Sequence, residues 1–198
     1  MSRLTSLDDL ASGQLGYVTR AQAAVLGVDD AGLRRAAGRG RLVAVARGIY
    51  RAPGAPEHPH EALYAAWLAL NPCAPAPQRA IDPDALVFGR SALAVYGIGD
   101  LEPAAYEFAL RHLKRARRPD LVLRVRPWGH GDWLVEEGMT VARPEWAIAE
   151  GVRSGEDPDH MATALADARH KGLVDESYLT SRFGRLGRRS ASTARSIA

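Results

Sequence analysis

Arginine is the residue whose placement in this sequence could do chemistry. Arg20, Arg34, Arg35, Arg39, Arg41, Arg47 and Arg51 fall within 32 residues of one another, with Thr19 beside the first of them. Guanidinium groups recur like this where a surface must neutralise phosphates or meet base edges through paired N–H donors. The charge balance supports that reading. The 198-residue chain carries a formal net charge of only +3. Residues 1–52, however, hold eight arginines against four aspartates, a net +4, and the remainder holds eighteen basic residues against nineteen acids, a net −1. The positive excess therefore sits in the first quarter of the chain, as a nucleic-acid-binding surface requires.

The elements that must position these arginines are legible from caps and spacing. Thr19-Arg20-Ala21-Gln22 has the form of a capping box, so a short helix is predicted to start there. Ala23, Ala24 and Leu26 supply its packing face, and Gly27 permits the stop. Asp29 or Asp30 caps a second helix in which Leu33, Ala36 and Ala37 repeat at helical spacing while Arg34, Arg35 and Arg39 fall towards solvent. This is the helix-turn-helix pattern. Leu42, Val43 and Val45, an Arg47-Gly48 turn, then Ile49 and Tyr50 predict a β-hairpin, the wing, decorated by Arg41, Arg47 and Arg51. A first helix, capped by Ser6 and running to about Ser12, would close the core with Leu7, Leu10 and Leu15. The helix from Asp30 to Arg39 would enter the major groove and the wing arginines would grip the backbone. Thr19 and Arg20 would touch phosphate through a helix N-terminus.

The rest of the chain reads as a second, larger domain. Ala52 to His58 is a Pro/Gly-rich linker, a helix follows from Pro59 to about Leu70, and Asn71 to Pro83 reads as loop. Gly89 to Gly97 is a short helix. Tyr106 to Leu110 and Leu121 to Arg126 are neighbouring strands, and Met139 to Ala142 is a third. Helices follow from Pro144, from Asp157-Pro158 to about His170, and from Asp175 through Phe183. The expectation is an α+β protein with a winged helix-turn-helix at 1–52, a mixed domain at 53–186 and a disordered tail at 187–198. Between the two neighbouring strands lies the densest basic run. There Arg111, Lys114, Arg115, Arg117 and Arg118 could clasp phosphate, meet an acidic partner, or merely keep a loop soluble.

Other chemistry is sought and not found. Cys73 is the single cysteine. His58 and His60 lack further ligands at zinc spacing, and Asp82-Pro83-Asp84 reads as a turn, so no metal or cofactor is expected. Lys114 and Lys171 do not follow an acid as a metal-dependent nuclease requires, Gly-Ser is absent, and no phosphate-loop or nucleophile-elbow motif occurs. The chain is therefore expected not to be an enzyme. No apolar run approaches the ~20 residues of a membrane span and the N-terminus lacks a signal-peptide layout, which predicts a cytoplasmic protein without a membrane partner.

Gly16 to Ala23, Gly27-Val28, Leu33 to Arg35, Gly40 to Val43 and Arg47 to Arg51 resemble the N-terminal domain of AbiEi-type antitoxins of type IV toxin–antitoxin systems. Ser91 to Ala94, Gly138 to Val141 and Arg143 to Ala149 look like the second domain of actinobacterial members. The resemblance implies a protein that binds inverted repeats in its own promoter and counters a nucleotidyltransferase toxin through its C-terminal domain. Two copies would bind cooperatively, from a monomer or weak dimer in solution. The competing reading is a winged-helix regulator whose C-terminal domain binds an effector among Trp67, Tyr96, Trp128, Trp133 and Trp146.

Overall fold

The computed structural model describes residues 3–114 and 118–184. Arg115, Arg117 and the expected tail at 187–198 lie outside the described residues. The chain divides into two compact units, Met1–Ala85 with Val135–Thr140, and Leu86–Leu134 with Val141–Ala198. The boundary expected at residue 52 thus falls inside the first unit.

In the first unit, α1 (Arg3–Ser12) precedes β1 (Tyr17–Thr19), α2 (Arg20–Val25), α3 (Asp30–Gly38), β2 (Val43–Ala46) and β3 (Ile49–Arg51). Ser6 therefore lies inside the first helix rather than capping it, since nothing between Arg3 and Ser6 breaks a helix. The three strands form an antiparallel sheet in the order β1-β3-β2, with Val18 opposite Tyr50 and Ala44 opposite Tyr50 on the other side. The capping box is formed: the Thr19 hydroxyl accepts from the Gln22 N–H at 3.0 Å and the Gln22 side chain accepts from the Thr19 N–H at 2.9 Å. Asp29, not Asp30, caps α3, accepting from the Gly32 N–H at 2.7 Å. Leu7, Ala11, Val18, Ala23, Leu33, Ala36 and Leu42 make the core, with Leu26, Val28 and Tyr50 packed against it. Ala24 and Leu15 are exposed instead, Leu15 because it sits in a positive-φ turn.

The same unit continues through α4 (Glu61–Leu70) and α5 (Ala76–Ile81). The helix α5 replaces part of the loop expected from Asn71 to Pro83. Its prolines do not prevent it: Pro75 occupies the N-cap and Pro77 the first turn, where no intrahelical N–H bond is lost. Gln14 fastens this segment. Buried at 1% exposure, its side chain donates to the Tyr17 carbonyl at 2.6 Å and accepts from the Ala76 N–H at 3.2 Å, while exchanging bonds with Gln22. Gly16, at φ +86°, is required sterically, since a Cβ there would lie 2.2 Å from the Cβ of Ala55. Residues 135–140 complete the unit: Thr140 donates to the Ala85 carbonyl at 2.7 Å and accepts from the Trp67 indole N–H at 3.2 Å.

A five-stranded sheet has the order β6-β5-β4-β8-β7, and β5, β6 and the residues Leu86–Val87, Trp133–Leu134 and Val141–Ala142 of its other strands belong to the second unit. The strands of this sheet are β4 (Ala85–Val87), β5 (Tyr106–Leu110), β6 (Leu121–Val125), β7 (Trp133–Glu136) and β8 (Met139–Ala142). The pairs β5/β6 and β4/β8 are parallel. Helices α6 (Gly89–Tyr96), α7 (Pro144–Ser154), α8 (Pro158–His170) and α9 (Glu176–Phe183) complete the second unit. Asp157 and Asp175 cap α8 and α9 as expected. Leu86, Phe88, Ala109, Trp128, Ala142 and Trp146 form its core, with Trp133 and Phe183 against them. No helix among the described residues is long and apolar enough to cross a membrane.

Candidate nucleic-acid interface

The expected arginines separate by their partners. Leu33 and Ala36 hold α3 against the core, so Arg34 and Arg35 emerge on either side of its outer ridge, where Ala31 and Gly38 carry little or no side chain. Arg34 and Arg47 line one surface hollow with Arg20, Asp30 and Tyr50. Arg35, Arg39 and Arg41 line a second hollow, on the other flank of α3. The hairpin turn is fastened to the helical pair by the Arg20 N–H, which donates to the Gly48 carbonyl at 2.8 Å, and this fixes Arg47 beside Arg34. Arg34, Arg35, Arg39, Arg41 and Arg47 are all exposed, and none has an acidic partner among the described residues.

Two expected contacts are corrected. Thr19 is fully buried; beyond capping α2, its hydroxyl donates to the Pro72 carbonyl, so it serves the fold and cannot meet phosphate. Arg51 is turned inward, its Nε to Glu61 at 2.9 Å and its Nη1 to the Ala55 carbonyl at 2.8 Å. Neither could be read from local sequence, because Pro72 and Glu61 lie 53 and 10 residues away. Arg20 is exposed but paired, Nη1 to Asp30 Oδ2 at 3.0 Å.

Sequence reasoning missed Tyr17 and Glu61, which anchor the sheet under this surface. The Tyr17 hydroxyl donates to Glu61 at 2.7 Å and accepts from the His58 N–H at 3.1 Å. Burial, then the bond to Glu61, pushes the Tyr17 phenol up to about 12. His58 is a structural residue. Its Nε2 meets the Glu137 carbonyl at 2.8 Å, its Nδ1 accepts from the His60 N–H at 2.9 Å, and its ring stacks on Tyr64 at 4.7 Å.

The second unit contrasts with this exposed charge. Arg90 pairs with Glu156, Arg124 with Glu107 and Glu150, Arg126 and Arg153 with Glu150, Arg143 with Glu145 and Asp175, Arg169 with Glu176, and Arg182 with Asp132. In the basic run, Arg118 pairs with Asp120 at 3.0 Å and Arg111 lies 4.9 Å over the Trp128 ring. The aromatic residues expected around an effector serve packing: Trp128 and Trp146 lie in one core cluster with the half-buried Trp133 against it, Tyr96 is buried, and Trp67 is buried in the first unit.

The exposed arginines lie in the segment that comparison with known proteins singles out. Residues 6–53 match the family of AbiEi antitoxin transcriptional regulators. This AbiEi match runs from within α1 through β3, and therefore covers every residue of the basic surface. The chain as a whole is similar in fold to the crystal structure of the RV2827C protein from Mycobacterium tuberculosis, at 19% identity and a TM-score of 0.52, over 90% of this chain and 69% of that one. No curated protein matches the chain.

Proposed function

We propose that this protein is the antitoxin of a type IV toxin–antitoxin system and represses its own promoter. The observation that carries the DNA-binding half is the set of five exposed arginines without acidic partners around α3 and the β2/β3 hairpin, whereas among the described residues the second-unit arginines are almost all paired. Uncompensated guanidinium groups are what a polyphosphate surface displaces counterions to reach. In this reading α1, α2, α3 and the β1-β3-β2 sheet are a winged helix-turn-helix. Ala31 and Gly38 let α3 approach the major-groove floor, while Arg34 and Arg35 reach to either side and Arg47 on the wing holds the backbone. One such module offers few base contacts, so two copies occupy an inverted repeat. The C-terminal part counters a cognate nucleotidyltransferase toxin, as the sequence resemblance implies; the AbiEi match, confined to residues 6–53, supports the antitoxin-regulator class.

The test has two arms. In a gel-shift titration on the DNA upstream of the gene, the full chain should bind, and a variant with alanine at Arg34, Arg35, Arg39, Arg41 and Arg47 should not. The neighbouring gene is expected to encode a toxic nucleotidyltransferase, and in cells expressing that gene's product both proteins should restore growth. Full promoter affinity in the five-alanine variant sinks the repressor assignment, and failure of the wild-type chain to restore growth sinks the antitoxin assignment. Point variants serve better here than deleting residues 1–52, which would strip Tyr17 and Gln14 from their partners in α4 and α5.

A further inference from the structure

The hollow that holds Arg34 and Arg47 contains one acid, and the DNA-binding reading does not explain it. Asp30 is the first residue of α3 and its side chain is 52% exposed. A carboxylate facing a duplex repels phosphate, and α3 does not need it as a cap, because Asp29 fills that role. Its partner is Arg20, itself 62% exposed. An ion pair this open to water contributes little stability. Its effect is directional.

Arg20 is held at two points. Its backbone N–H is bonded to the Gly48 carbonyl at 2.8 Å, and its Nη1 is bonded to Asp30 Oδ2 at 3.0 Å. The remaining edge of the guanidinium, Nε–H and Nη2–H, has no partner among the described residues. Those two donors are parallel and coplanar, the arrangement that matches O6 and N7 of guanine in the major groove. The pair is also electrically neutral, so it adds nothing to the counterion release that Arg34 and Arg47 supply. A neutral pair with one oriented fork is suited to reading a base and poorly suited to gripping a phosphate.

We propose that the Arg20–Asp30 pair reads a guanine in each half-site, with Arg20 contacting the base and Asp30 acting as a positioning residue that aims it. This inference rests on the DNA-binding reading above. The experiment is selection from a library of random-sequence duplexes with the full wild-type chain, followed by affinity measurements on the selected duplex and on its copy with that guanine changed to adenine. Wild type should enrich one guanine per half-site and prefer it to adenine by about tenfold or more. Arg20→Lys should lose that preference while keeping its salt dependence, because the charge remains and the fork does not. Asp30→Ala should lower the guanine preference severalfold while binding non-specific duplex at least as tightly as wild type. A merely structural role would instead weaken binding to all duplexes together. Undiminished guanine preference in both variants overturns the inference alone. If wild type enriches no sequence and binds no duplex, the DNA-binding reading fails with it.

Discussion

The five uncompensated arginines make a quantitative demand on the salt dependence of DNA binding. If each displaces the counterions of one phosphate, the logarithm of affinity should fall against the logarithm of salt concentration with a slope of about −0.9 per contact, or about −4.5 per bound copy. Between about 50 and 200 mM salt this is roughly a 500-fold loss of affinity, and each arginine replaced by alanine should remove about a 3.5-fold share of it. Arg34, Arg35, Arg39, Arg41 and Arg47 are exposed, so the replacements should leave the thermal melting curve nearly unchanged. Fluorescence anisotropy with a labelled duplex, titrated at several salt concentrations, reads the slope directly. Arg169→Ala is the control, since Arg169 is already paired with Glu176 in the second unit; it should leave the slope untouched. The reasoning is refuted if the five-alanine protein keeps the wild-type slope, or if Arg169→Ala changes the slope as much as Arg34→Ala does.

Three further outcomes concern the scaffold beneath that surface. Gly16→Ala should destabilise the protein by about 1–3 kcal/mol from the positive φ alone, and by more where the new methyl meets Ala55, as a lowered thermal midpoint will show. Because Tyr17 is raised from 10.0 to about 12, its contribution to stability is fully present below pH 10 and is lost as pH rises through 12. Urea titrations across that window should show Tyr17→Phe less stable at neutral pH and less sensitive to alkali, with a residual sensitivity from Tyr64, which burial also raises. Arg79→Ala should cost about 3–5 kcal/mol. That buried guanidinium lies 3.7 Å over Trp67, bonds the Trp67 carbonyl at 2.7 Å and pairs with Asp84 at 2.8 Å, so an unfolding titration should show the loss.

What the sequence disclosed was whatever is decided within a few residues. The Thr19-to-Gln22 capping box, the Asp29, Asp157 and Asp175 caps and the Gly27 and Gly97 stops depend on contacts one turn away, and all are present. The strand β4 was hidden because three consecutive buried residues have no periodicity to read. The helix α5 was hidden because prolines in a first turn look like prolines in a loop. Among the candidate site residues the same division holds. That α3 turns its arginines outward follows from the spacing of Leu33 and Ala36. That Thr19 and Arg51 face inward depends on Pro72 and Glu61, which only the folded chain brings near.

The return of residues 135–140 to the first unit bears on how the protein is made. Trp67 and Ala85 are synthesised early, yet the Thr140 hydroxyl that both of them bond arrives only after another fifty-odd residues have been added. On the ribosome, the unit that carries the basic surface therefore cannot reach its finished form until the chain through residue 140 has emerged from the exit tunnel. A nascent chain interrupted before that point would hold Trp67 and Ala85 without the Thr140 hydroxyl, although the core beneath the arginines, Leu7 to Leu42, would already be complete.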